Sequence, residues 1–200
     1  MKKLSFISAL VLASALTFSF LHLSAQETVS EELRIKEWID GQTITVFEHQ
    51  ITRIFGETYD KNAIRNYHIP ITNIGYKDLG QLKDETQLTA KSQEWPTEQL
   101  DEALQYLETN AKGGRLFVYI ERKENNRAKA ISFFVILRDS ADEEFFRSNV
   151  GDRVPEFGDF GFWSNYFEVD IPDEIKYPFF VYVNDRKSSN LSDFKFELQY

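Results

Sequence analysis

The chain has no cysteine, only three histidines, and a single methionine at position 1. Without cysteine it has no disulfide scaffold, thiolate zinc site, thiol nucleophile or lipid anchor on cysteine. Basic side chains are in deficit, 23 against 32 acidic ones. That balance argues against general nucleic-acid binding, which needs a cationic footprint to displace counterions. Apolar residues are not scarce: 42% of the chain is hydrophobic and 15% aromatic, too much for a disordered polypeptide.

Long apolar runs are absent except at the start. Lys2 and Lys3 precede a run from Phe6 to Leu21, and small residues follow at Ser24 and Ala25. A basic start, an apolar stretch and small residues before a cut form the pattern of a secretory signal. The run is about 16 residues, short of the ~20 that span a bilayer. The expectation is a signal peptide over 1–25, cleaved after Ala25. A single exported β-rich domain over 26–200 follows, periplasmic or extracellular and with no membrane span. Without Lys2 and Lys3, 21 basic side chains face 32 acidic ones, a net charge of −11, and no sulfur is left. Such a domain draws its stability from burial alone, which is feasible because chains of ~150 residues bury roughly 70% of their surface.

Along the exported part the periodicity is mainly that of strands. Asp40-Gly41 separates Leu33, Ile35 and Ile39 from a β-branched stretch over Gln42–Glu48, which predicts a hairpin turning at Asp-Gly. Ile51, Ile54 and Phe55 suit a strand or a helix, and His68–Ile74 reads as a short extended piece that Pro70 places at an edge. Lys77–Glu94 is polar and reads as a surface connection. After Pro96, Leu100, Ala103, Leu104, Leu107 and Ala111 recur at helical spacing. They predict an amphipathic helix over about 97–112 that stops at Gly113-Gly114.

Beyond that stop, Arg115–Glu121 and Ala130–Leu137 are apolar on both faces and need cover on both, with a polar turn at Asn125-Asn126 between them. Ser140 and Glu143 form a capping-box pattern ahead of Phe145 and Phe146, which predicts a short helix. Phe162–Ile171 alternates, Pro178–Val183 is apolar throughout, and Ser192–Gln199 alternates with its charges outward, as in a solvated strand that resists edge aggregation. The fold expected is mainly β: an antiparallel sandwich or curved sheet with one helix packed on it, or alternatively a two-layer α+β arrangement.

Few residues suggest catalysis. His49 and His68 have no metal-ligand spacing, and there is no Gly-x-Ser-x-Gly elbow. Gly113-Gly114 follows a helix, whereas a phosphate cradle precedes one. Asn190-Leu-Ser is a formal glycosylation acceptor and reads most simply as a loop. Carboxylates gather at 139–144, 152–159, 168–174 and Asp185. The plain reading is a solvated acidic face. Calcium is the alternative cofactor, and the EF-hand pattern is absent.

Function is expected in the aromatic passage from Gly158 to Phe167. If Phe167, Val169 and Ile171 face the core, Trp163 and Asn165 share their side, while Phe162, Tyr166, Glu168 and Asp170 face outward. Exposed rings beside carboxylates hold sugars or peptide segments. These four are the expected ligand-binding residues, and no catalytic or metal residue is assigned. Packing under a neighbouring element is the structural alternative for both rings. The function expected is an exported, non-catalytic module of the bacterial envelope that binds a glycan or a protein, and not nucleic acid. A small carboxylate-based hydrolase acting on envelope polysaccharide, to be tested by substituting Glu168 and Asp170, is one alternative. An inhibitor or immunity-type protein whose acidic face docks a basic target is another.

Overall fold

In the computed structural model, the described residues are 33, 39–56, 71–151, 153–158, 161–186 and 193–199. The leader over 1–25, residues 34–38, His68, Pro70 and the Asn190 sequon lie outside them. The chain divides into Met1–Lys36 and Glu37–Tyr200, and the architecture that follows belongs to the second unit.

Its described elements run β1 (Thr43–Val46), β2 (His49–Phe55), β3 (Ile71–Lys77), α1 (Leu79–Ser92), α2 (Thr97–Asn110), β4 (Arg115–Arg122), β5 (Phe133–Arg138), β6 (Glu144–Asn149), β7 (Glu156–Phe157), β8 (Trp163–Asp170), β9 (Phe179–Asp185) and β10 (Asp193–Gln199). Every pairing is antiparallel. One sheet has the order β1-β2-β10-β9-β5-β6, the other β3-β4-β8-β7. The mainly β fold with helical cover is therefore as expected, with two helices in place of one.

The sheets pack inner face to inner face. Ile51, Phe133, Val135, Leu137, Phe179, Val181, Val183, Phe194, Phe196 and Leu198 of the six-stranded sheet are fully buried. They meet Ile74, Tyr76, Leu116, Val118, Ile120 and Phe167 of the other sheet. Phe133 packs on Phe167 at 6.2 Å between ring centroids, and Tyr76 on Phe179 at 5.6 Å. The outer face of the four-stranded sheet is buried too, at Phe117, Tyr119 and Tyr166. Helix α1 is tied to that sheet by Glu85 on Lys77, and α2 by Tyr106 on Asp170. The two helices are linked to each other by Lys83 and Glu108 at 2.6 Å. Strand β4 thus has the cover on both sides that its apolar composition demanded.

Several local expectations give way, each to a nameable contact. The tight turn between β1 and β2 is Phe47-Glu48, with φ of 48° and 69° at its two residues. Such angles normally call for Asn or Gly. Here the Phe47 ring packs on Phe117 at 5.5 Å, under the Lys77 ammonium at 4.6 Å, and its carbonyl accepts from Gln81. Tertiary contacts overrule the turn propensity. Asp40-Gly41 does form a turn, with Gly41 at φ 83°, while the partner strand expected before it falls among the undescribed residues.

The polar stretch after Lys77 is not a connection but helix α1. Asp78 and Gln81 close a reciprocal capping box, with Asp78 accepting from the Gln81 amide at 2.9 Å and Gln81 accepting from the Asp78 amide at 3.0 Å. Asp78→Ala is expected to cost about 1 kcal/mol in urea unfolding and Asp78→Ser clearly less, because serine keeps the cap.

The helix expected at Phe145-Phe146 is strand β6. Asp139 accepts from the amides of Ala141 and Glu143, both at 2.9 Å, and Asp142 takes φ 65°. That arrangement closes a hairpin instead of opening a helix. Strand β10 is interior, between β2 and β9, so its charges do not protect an edge. The stretches around Arg115 and Ala130 are separated by two 3-10 turns and enter different sheets. The helix over 97–112 is as expected. Its stop at Gly114 has φ 88°, and a Cβ there would meet the Lys77 carbonyl oxygen at 2.5 Å.

Candidate functional site

The alternation of β8 places Asn165, Phe167 and Val169 inward and Tyr166, Glu168 and Asp170 on the outer face, as the parity argument requires. Trp163 lies against Phe157 at 4.9 Å, and Asn165 is buried, donating to the carbonyls of Ala128 and Arg153. Phe162 precedes the strand and is half-buried, its carbonyl accepting from the Gly158 amide at 2.8 Å. The other three lie on the outer face of β8.

Those three form a closed cluster. Cross-strand pairing sets Arg115 opposite Asp170 and Phe117 opposite Glu168. The Arg115 guanidinium donates from Nε to Asp170 Oδ1 at 2.5 Å, from Nη2 to Oδ2 at 3.2 Å, and from Nη1 to Glu168 Oε2 at 2.8 Å. Tyr106 of α2 donates its hydroxyl to Asp170 Oδ2 at 2.9 Å. Burial alone would lower the Arg115 pKa, but the bond to Asp170 and the two carboxylate charges outweigh it and raise the value. Hydrogen bonding to Asp170, then burial, raises that of Tyr106.

Tyr166 is not the exposed ring the sequence suggested, being only 4% exposed. Phe117 stacks on one side of it at 6.2 Å and the Arg153 guanidinium lies 5.7 Å over its ring. The packing alternative is the one realised for Tyr166. Chemically, the cluster ties β4 to β8 by charge and α2 to β8 through the Tyr106 hydroxyl. A guanidinium stands between the two carboxylates, where a glycosidic oxygen would have to lie in a hydrolase. Arg115 escaped the sequence reading because its partners are 53 and 55 residues away. Only the register of β4 against β8 unites them.

The other sequence-flagged groups are structural as well. His49 is buried on the inner side of β2, its Nε2 donating to Gln81 Oε1 at 2.9 Å and its ring packed beside those of Tyr76 and Tyr177. Asp185 is not part of a solvated face. It is buried, 3.5 Å from Arg127 and 4.0 Å from Arg122. Among the described residues, no three histidine, aspartate or glutamate side chains are grouped to hold a metal.

A surface that the sequence did not single out lies on the outer face of the six-stranded sheet. Strand register aligns Arg147, Ile136, Tyr182 and Lys195 in one row across β6, β5, β9 and β10. Phe134 and Phe180 occupy the flanking rows, opposite Asn184 and Glu197. Phe134, Phe180 and Tyr182 are each half-buried, so part of every ring meets solvent. Cations lie over these rings: Lys195 is 4.1 Å from the Phe180 centroid and 5.1 Å from that of Tyr182, Arg138 is 5.5 Å from Tyr182, and Arg147 and Arg186 are 5.4 and 5.1 Å from Phe134. The signal was present in the sequence as alternate Phe, Ile, Arg and Phe, Tyr, Asn, but apolar neighbours on the inner face disguised it as uniform burial. No protein-family model, no curated protein and no solved structure matches the chain.

Proposed function

We propose that this protein is an exported, non-catalytic binding module of the bacterial envelope, and that it holds its ligand on the outer face of the six-stranded sheet. Export rests on the leader pattern of residues 1–25. The observation that carries the binding reading is the half-buried but solvent-reached group of Phe134, Phe180 and Tyr182 with hydrogen-bonding side chains around it. Rings framed by amides and charges are the usual composition of a binding surface. The carboxylate pair on β8 that a hydrolase would use is already engaged by Arg115.

The test is retention on immobilised envelope polysaccharide, with release of reducing ends assayed in parallel. Retention without release is expected. Phe134→Ala with Tyr182→Ala should lower retention about tenfold or more, with the melting midpoint followed to confirm folding, since aromatic anchors dominate binding surfaces. Glu168→Gln should leave retention unchanged. Release of reducing ends that disappears in Glu168→Gln would establish the hydrolase instead.

A further inference from the structure

The binding face also has a charge pattern, and it narrows the ligand. Arg138 and Arg147 are already engaged at its rim, by Asp142 at 3.1 Å and by Glu144 at 2.7 Å. Lys195 and Arg186 differ: among the described residues neither has a carboxylate within ion-pair distance. Lys195 rests on two rings, and Arg186 rests on Phe134 and bonds the Asn149 side chain. The two cations therefore bracket the ring group, held in place by π-faces and with no described carboxylate on either. Acidic groups on this face are Glu197, opposite Phe180, and Asp142, which accepts from the Tyr182 hydroxyl at 3.1 Å.

We propose that the face binds an acidic polysaccharide, with Lys195 and Arg186 taking its carboxylates and the half-buried Phe134, Phe180 and Tyr182 lying along the apolar faces of its sugar rings. The proposal rests on the binding-module reading. Two features favour a glycan over an acidic peptide. Extended peptides gain affinity by adding a strand to an open edge, where main-chain groups are free. Strands β5 and β9, which carry the rings, and β10, which carries Lys195, are interior and have a neighbour on each side. Their main-chain groups are committed to the sheet, so only side chains are offered. The cations also lie apart: Lys195 stands opposite Tyr182, and Arg186 follows the end of β9 four residues further on, so roughly 13 Å of strand separates them. That spacing suits a polymer whose rings have apolar faces and whose charges recur along its length.

The experiment titrates the purified protein with polygalacturonate, dextran and polyglutamate at low and near-physiological salt. Polygalacturonate is expected to bind at least about tenfold tighter than either of the others and to weaken as salt rises. Arg186→Gln with Lys195→Gln should reduce that affinity about tenfold while the melting midpoint stays put. Equal binding of dextran would overturn the acidic ligand and leave the binding module standing. Preference for polyglutamate would overturn the glycan in favour of an acidic peptide. No binding of any of the three would overturn the proposal together with the binding face, as would full affinity in the double variant.

Discussion

Arg115→Met is expected to remove about 2–4 kcal/mol of folding stability, more than any other single change on the outer face of the four-stranded sheet. The arginine side chain is 16% exposed, and its partners Glu168 and Asp170 are 21% and 19% exposed. Methionine would fill the space, but two carboxylates would be left side by side, partly desolvated and without a counter-charge. Removing one partner of such a set costs far more than the intact set contributes, because the remaining charges lose compensation. The magnitude stays at the lower end because water still reaches the carboxylates. Urea unfolding at neutral pH measures it. The triple variant Arg115→Met, Glu168→Gln, Asp170→Asn should recover most of the loss. A loss below about 1 kcal/mol, with no recovery in the triple variant, would mean that the cluster is solvated and incidental.

Stability should fall steeply once the pH passes the ordinary tyrosine range near 10. Tyr76 and Tyr166 are buried, and their hydroxyls are pushed well above that range. Burial is the main cause for both, reinforced by Tyr177 and Asp78 for Tyr76 and by Glu168 for Tyr166, where Arg115 and Arg153 act in the opposite sense. In the unfolded chain these phenols ionise near pH 10, while in the folded protein they keep their protons. A folded-state pKa that is raised contributes stability present below the unfolded value and lost as the pH climbs above it. Each group contributes a slope of about 1.4 kcal/mol per pH unit, so the pair contributes about 2.7.

Tyr166→Phe separates this effect from packing. The Tyr166 hydroxyl is 3.5 Å from Glu168, a weak contact, so the variant should match the parent near pH 7. Above pH 10 it should decline less steeply, by about 1.4 kcal/mol per pH unit. Parallel curves for parent and variant would show that the Tyr166 hydroxyl is hydrated in the folded state. Tyr76→Phe should behave differently at neutral pH, because the Tyr76 hydroxyl donates to the Gly113 carbonyl at 2.7 Å inside the core and its loss orphans that acceptor.

What was legible along the chain was whatever depends on neighbours a few residues apart. The helix after Pro96, the strand character of Phe162–Ile171 and Ser192–Gln199, and the need for β4 to be covered twice all follow from period and composition. Misreadings fell where two local signals competed. Around Ser140, a capping pattern masked the stronger side-chain turn of Asp139. After Lys77, a capping box was present at Asp78 and Gln81, but the low apolar content concealed it. The segment helps cover a sheet that needs only Leu82 and Ala90 of it buried.

The candidate site was legible only in part. The parity of β8 put Tyr166, Glu168 and Asp170 on one face, and strand geometry alone sufficed for that. Whether that face met water or another layer depended on α1 and α2. The partner that neutralises the carboxylates depended on the register of β4.

The sequence by itself determined that the chain carries no thiol chemistry, that its charge is acidic, and that its periodicity builds antiparallel sheets around a phenylalanine-rich core. These are sums over residues or short-range patterns, and no fold is needed to evaluate them. Only the tertiary structure decided which strand pairs with which, that β10 is interior, that Tyr166 is covered, and that four cations converge on the rings of one sheet face. Those outcomes depend on contacts between residues tens of positions apart, and sheet register, which brings them together, is a property of the assembled sandwich.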